Sequence, residues 1–211
     1  MTSPDKSPTQ QQQYADRVYR SPAAMAGGVL LLALAGWLGV DALIRGEGRV
    51  QWLALAGLLF AVPLVVAYTL RPAVHAGDDL LRVRNPFRTI TLPWASVESV
   101  RASYSAEVFA GGEKFQMWAI PVSLRQRKRA SRQATRAAAD DPYHRTSPTA
   151  SVTDPSRRAP ADQAVDDLRE LAERNARREG AQGVAVVRWA YEVLAPCGVG
   201  LVGLAVLFFT S

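Results

Sequence analysis

Cysteine and histidine are nearly absent from this chain. Cys197 is the single cysteine, and His75 and His144 are the only histidines in 211 residues. One thiol excludes an intrachain disulfide and any CxxC metal or redox pair. His75 follows an apolar run and His144 lies in a polar, proline-rich stretch, so no metal site is expected of either. G-x-S-x-G, Walker A and H-E-x-x-H motifs are also missing. With them go the common routes to nucleophilic, nucleotide-dependent and metal-assisted chemistry. The sequence predicts a protein that is not an enzyme, with no catalytic residue, no cofactor and no small-molecule substrate.

Acidic residues are outnumbered, 19 against 25 Lys and Arg, for a formal charge of +6. The charges avoid three long apolar blocks. Residues 23–44 hold Asp41 as their only charge, residues 50–70 hold none, and residues 189–210 hold Glu192 near their start. Crossing the hydrocarbon core takes roughly 20 apolar residues as a helix, and each block meets that length. The "RGEGR" link, residues 45–49, is short enough to force an antiparallel hairpin, and Pro63 is expected to kink the second span. Arginines crowd one set of flanks: Arg17 and Arg20, Arg71 and Arg82, Arg174 to Arg188. The positive-inside rule then predicts a multi-pass cell-membrane protein with its N-terminus and central region cytoplasmic and its C-terminus outside. Ala35-xxx-Gly39 and Gly57-xxx-Ala61 offer small-residue faces for helix packing. Intramembrane carboxylates often mark ion pathways, but Asp41 and Glu192 fall close to span ends, where they can reach the headgroup region.

After Pro72 the pattern changes period. "LLRVRNPFRTITLPW" reads as two strands around the Asn85-Pro86 turn, "VESVRASYS" as another, and "AEVFAGGEKFQMWAI" as a hairpin turning at Gly111-Gly112. In "GDDLLRVRNPFRTITLPWASVESVRA", Gly77 to Ala102, Leu81-Arg82-Val83-Arg84-Asn85, Phe87-Arg88, Pro93-Trp94 and the paired Val97 and Val100 carry a resemblance, extended by "FQMWAIPVSL". They resemble the bacterial PH-like domains of actinobacterial membrane-anchored proteins, of the low-molecular-weight protein antigen six type. The resemblance implies an interaction module rather than a catalyst. The expected fold class is α-helical transmembrane spans plus a small all-β (β+α) PH-like barrel or sandwich over residues 77–124, on the cytoplasmic side.

Residues 124–139 read as a basic helix in which Arg125, Arg129, Arg132 and Arg136 share one face at four- and three-residue spacing. Aromatics to stack bases are missing from it, so nucleic acid is not the expected partner. Residues 1–20 and 140–160 are rich in polar residues and proline and poor in large apolar ones, as in disordered segments. Residues 161–179 have Val165, Leu168, Leu171 and Ala172 at helical spacing. This helix either caps the PH-like domain, displaced by an insertion, or runs solvated beside the membrane.

Two basic patches are the binding candidates. Arg82, Arg84 and Arg88 surround the Asn85-Pro86 turn, and in eukaryotic PH domains such a strand-turn-strand holds phosphoinositide headgroups. Arg125, Arg129, Arg132 and Arg136 form the second, held near anionic lipid by charge alone. The expected partners are membrane lipids and an unidentified protein. The alternatives are an anionic-lipid sensor or an accessory subunit of a transporter.

Overall fold

The computed structural model describes residues 17–123, 125, 128, 132 and 160–210. Strand β1 (Arg17–Tyr19) leads into helix α1 (Pro22–Arg45). Ser21 caps α1, its Oγ accepting from the Ala24 N–H at 3.3 Å, and Pro22 follows where no amide donor is needed. Helix α2 (Arg49–Val65) widens after Pro63 into a π turn, Val66–Leu70, where the helical ladder is already interrupted. Helix α3 (Pro160–Asn175) is amphipathic, and α4 (Tyr191–Phe209) is apolar beyond Glu192 in its first turn. The stretches Pro22–Arg45, Arg49–Leu70 and Tyr191–Phe209 are each long and apolar enough to cross a membrane.

The three apolar helices pack on small residues, as apolar helices without a hydrophobic drive between them must. Gly200 of α4 lies so close to α2 that a Cβ there would meet the Phe60 nitrogen at 2.5 Å. On α1, a Cβ at Gly39 would meet Leu58 at 2.4 Å. Gly57 faces open space instead, so the expected Gly57-xxx-Ala61 face is not the one that packs. The backbone-close position is Gly200.

Strands β2 (Ala73–Ala76), β3 (Leu80–Arg84), β4 (Arg88–Pro93) and β8 (Val186–Trp189) join β1 in a five-stranded antiparallel sheet ordered β1-β2-β3-β4-β8. Strands β5 (Val97–Ala102), β6 (Ala106–Ala110) and β7 (Glu113–Gln116) form a second, three-stranded sheet. Gly111 and Gly112 turn the β6–β7 hairpin with φ of 59° and 75°, a region open to glycine at no steric cost. Alternation decides the inner faces: Leu81, Val83, Ile90, Leu92 and Val108 are fully buried. Trp94 fills the junction between the sheets, its indole N–H donating to the Gly77 carbonyl at 2.9 Å. Helix α3 closes the core with Ala161, Ala164, Val165, Leu168 and Leu171, one stripe at helical spacing. It lies against β5, and Arg169 Nε donates to the Val100 carbonyl at 2.7 Å. Of the two expectations for this segment, the structure has the helix that covers the domain.

Three expected boundaries move. Residues 17–19, expected to be unstructured within residues 1–20, form β1, because Val18 and Tyr19 pair with His75 and Val74 at the sheet edge. The β domain begins at Ala73 rather than residue 77, and it takes up β8 as well. Trp189 ends β8 instead of opening the third helix, because the Ala190 N–H is drawn to the Phe87 carbonyl at 2.8 Å. The insert at residues 140–159 lies outside the described residues, while Pro160 already opens α3. In the basic run, Arg125, Lys128 and Arg132 are helical and exposed; Arg129 and Arg136 lie outside the described residues, so a shared face of four arginines is not described.

Candidate functional site

The membrane-length helices and the five-stranded sheet meet at one end of the sheet, because β1, β2 and β8 each abut a helix terminus. Arg71, the residue after the π turn, organises this junction. Its side chain is 8% exposed and reaches three elements at once. One guanidinium nitrogen donates to the Asn85 carbonyl in the β3–β4 turn. The other donates to Thr89 Oγ1 of β4 at 3.3 Å and to Glu192 Oε1 of α4 at 2.9 Å. A buried guanidinium is tolerated when its donors are used in this way.

Asn85 carries the linkage across to the second sheet. It is 3% exposed, donates from Nδ2 to the Gln116 carbonyl at 2.8 Å, and accepts from the Trp118 N–H at 3.3 Å on Oδ1. Phe87, two residues on, packs against a small cluster of Ala67, Ala190, Val193 and Cys197 between α2 and α4. The Tyr68 ring meets Phe87 edge-on at 5.3 Å and lies 5.7 Å from Trp118. What reads in sequence as a strand reversal is therefore a plug between helix ends.

The outer face of the sheet above this plug is basic. Cross-strand pairing sets Arg84, Thr89 and Arg188 in one row and His75, Arg82 and Thr91 in the next. These rows line an open cleft of about 710 Å³ that also takes in Arg71 and Glu192. A second cleft of about 390 Å³ shares Arg71, Arg84 and Glu192. It runs on to Arg20 and to the apolar Pro63, Val66, Leu70 and Val193 of α2 and α4. The expected trio of arginines therefore divides. Arg82 and Arg84 line the cleft, whereas Arg88 opposes Trp189 and shares the parity of Ile90, on the other face. Arg125 and Arg132 lie in the stretch that follows β7, outside these clefts. Arg71, Arg188 and Arg20 also line these clefts, though in sequence they read only as positive flanks.

Away from this end, β1 is fastened to α3. Tyr19 Oη donates to Asp167 Oδ2 at 3.1 Å, and Arg17 pairs with the same oxygen at 3.1 Å. Burial, then the Asp167 carboxylate, pushes the Tyr19 phenol up from its ordinary value. Among the described residues, no group of His, Cys, Asp and Glu is arranged to hold a metal ion.

No curated protein and no solved structure matches the chain. A family model described as Bacterial PH domain matches residues 71–181, which is just over half of the chain. The match starts at Arg71 and ends at Ala181, so it takes in β2 to β7 and α3 while leaving out β1 and β8. Two antiparallel sheets closed by one helix, over those residues, place this chain in the bacterial PH-domain family.

Proposed function

We propose that the chain is a multi-pass membrane protein whose PH domain is a non-catalytic interaction module, fixed in orientation by its own spans. The observation that carries this reading is the route of the chain. Each apolar helix is entered or left through a strand of the same sheet: β1 before α1, β2 after the π turn, β8 before α4. Flexible linkers would let the domain swivel; short strands at these three places restrict it to one pose. A fixed pose is useful to a module that must offer a defined surface, and the exposed Tyr104 at the tip of the β5–β6 turn is part of such a surface. The resemblance to membrane-anchored actinobacterial PH proteins favours the same reading. The accessory-subunit alternative loses support, because Asp41 is paired to Arg45 within α1 at 2.9 Å and Glu192 to Arg71.

Arginine-rich flanks favour the domain lying in the cytoplasm, with the far end of α4 outside. In a Cys197→Ala background, Thr210→Cys is expected to react with an impermeant maleimide on intact cells, and Tyr104→Cys only after permeabilisation. The reverse pattern overturns the sidedness. A photo-crosslinker at Tyr104 is expected to give a discrete, repeatable protein adduct in the native membrane. Lipid adducts alone would count against an interaction module.

A further inference from the structure

The two clefts at the sheet–helix junction together have the polarity of a phospholipid. Their rim is cationic and their foot apolar. Arg84 and Arg188 flank Thr89 in one row, with Arg71 beneath and Arg20 on the approach to α1. Arg71 is committed to Asn85, Thr89 and Glu192. Among the described residues, Arg20 and Arg188 form no ion pair, Arg84 interacts with Glu192 only through its charge at longer range, and Glu192 is the only carboxylate lining either cleft. Below this rim the wall is Pro63, Val66, Leu70 and Val193, on the outer turns of α2 and α4.

A soluble anion would use the arginines and leave the apolar foot bare. A neutral hydrocarbon would use the foot and leave the cations unpaired. Guanidinium forks match phosphate oxygens, and the Thr89 hydroxyl adds a hydrogen-bonding group between them. The site also sits at the ends of helices of membrane-spanning length, and on the membrane-embedded reading those ends lie at the level of the headgroups. We infer that this junction binds the phosphate of an anionic glycerophospholipid from the surrounding bilayer, with Arg84, Arg188 and Thr89 on the phosphate and an acyl chain against Pro63, Val66 and Val193. The inference rests on the membrane-embedded reading above. It locates lipid recognition on the outer face of the five-stranded sheet, using Arg188 of a strand beyond the family match, and it excludes Arg88.

The test uses the full chain reconstituted in phosphatidylcholine bilayers with spin-labelled phosphatidylglycerol or spin-labelled phosphatidylcholine as probe. Wild type is expected to immobilise the phosphatidylglycerol label in preference to the phosphatidylcholine label. The Arg84→Gln/Arg188→Gln pair is expected to lose that preference by roughly fivefold per arginine, the factor for one cation at an anionic surface. Arg84→Lys/Arg188→Lys keeps the charge and is expected to restore part of it, which separates ligand loss from misfolding. Equal immobilisation of both labels by wild type, or an unchanged preference in the Gln pair, overturns the inference. Displacement of the label by millimolar inorganic phosphate overturns the lipid assignment in favour of a soluble anion. Failure of the protein to float with the bilayers is a different result, and it overturns the membrane reading itself.

Discussion

Arg71 and Glu192 form a 2.9 Å ion pair in which the cation is buried, 8% exposed, and the carboxylate is 65% exposed. That asymmetry sets what each substitution does. Arg71→Leu removes a side-chain donor to the Asn85 carbonyl and a partner of Thr89, and is expected to cost about 2 kcal/mol. Glu192→Gln leaves an accepting oxygen for the same guanidinium, and an exposed carboxylate is well screened, so the melting temperature should barely move. Thermal melts in one detergent rank the two; a larger loss in Glu192→Gln would contradict this account of the junction.

Asn85 ties the two sheets by side-chain bonds to Gln116 and Trp118. Asn85→Ala is expected to cost about 2 to 3 kcal/mol, because both backbone partners lose their bond. Asn85→Asp keeps the acceptor for Trp118 but loses the donor to Gln116, so it should also destabilise. Chemical denaturation of the reconstituted protein, read at the tryptophans, checks both.

Helix packing gives a paired contrast. Gly200→Ala puts a methyl at 2.5 Å from the Phe60 nitrogen, which is backbone and cannot swing aside. Separation of α4 from α2 and a lowered melting temperature are expected. Gly57→Ala meets nothing within 4 Å and should be neutral or slightly stabilising, since alanine is the better helix former.

Tyr19 supplies a pH dependence. Its phenol is raised in the folded chain by burial and by Asp167. The group therefore holds its proton more tightly when folded, and its contribution is complete below the ordinary tyrosine value near 10. As pH climbs through the raised value, tyrosinate forms beside Asp167 and the contribution disappears. Denaturation midpoints between neutral and alkaline pH should fall more steeply for wild type than for Tyr19→Phe. Parallel curves would disprove the link.

The apolar helices were legible because long charge-free runs admit few alternatives. Asn85-Pro86 and Gly111-Gly112 marked their turns through backbone restriction, and the stripe of Val165, Leu168 and Leu171 marked α3. What stayed hidden was long-range. Strands of three and four residues show no full alternation, so Val18-Tyr19 and Val186-Val187 gave only a weak β-branched and aromatic signal. Their partners, His75 and Ile90, lie far away in sequence. Arg84 and Arg188 meet across β4 only after β8 has docked, so the cationic row existed in no local window. Arg88 parts from Arg82 and Arg84 for the opposite reason: nearness along the chain says nothing about which face a residue takes.

Both margins of the five-stranded sheet are supplied by segments that lead into helices, β1 before α1 and β8 before α4. During synthesis β1 finds its neighbour only after α1 and α2 have been made, and β4 waits for β8, which follows α3 in the chain. Before then the half-built sheet carries unpaired backbone amides and carbonyls along β2 and β4. A fragment cut to the PH domain alone would keep those two raw edges permanently, and sheets with such edges recruit other strands. Strands β1 and β8 thus act as an intramolecular guard against aggregation, and an excised domain lacking them should be expected to self-associate.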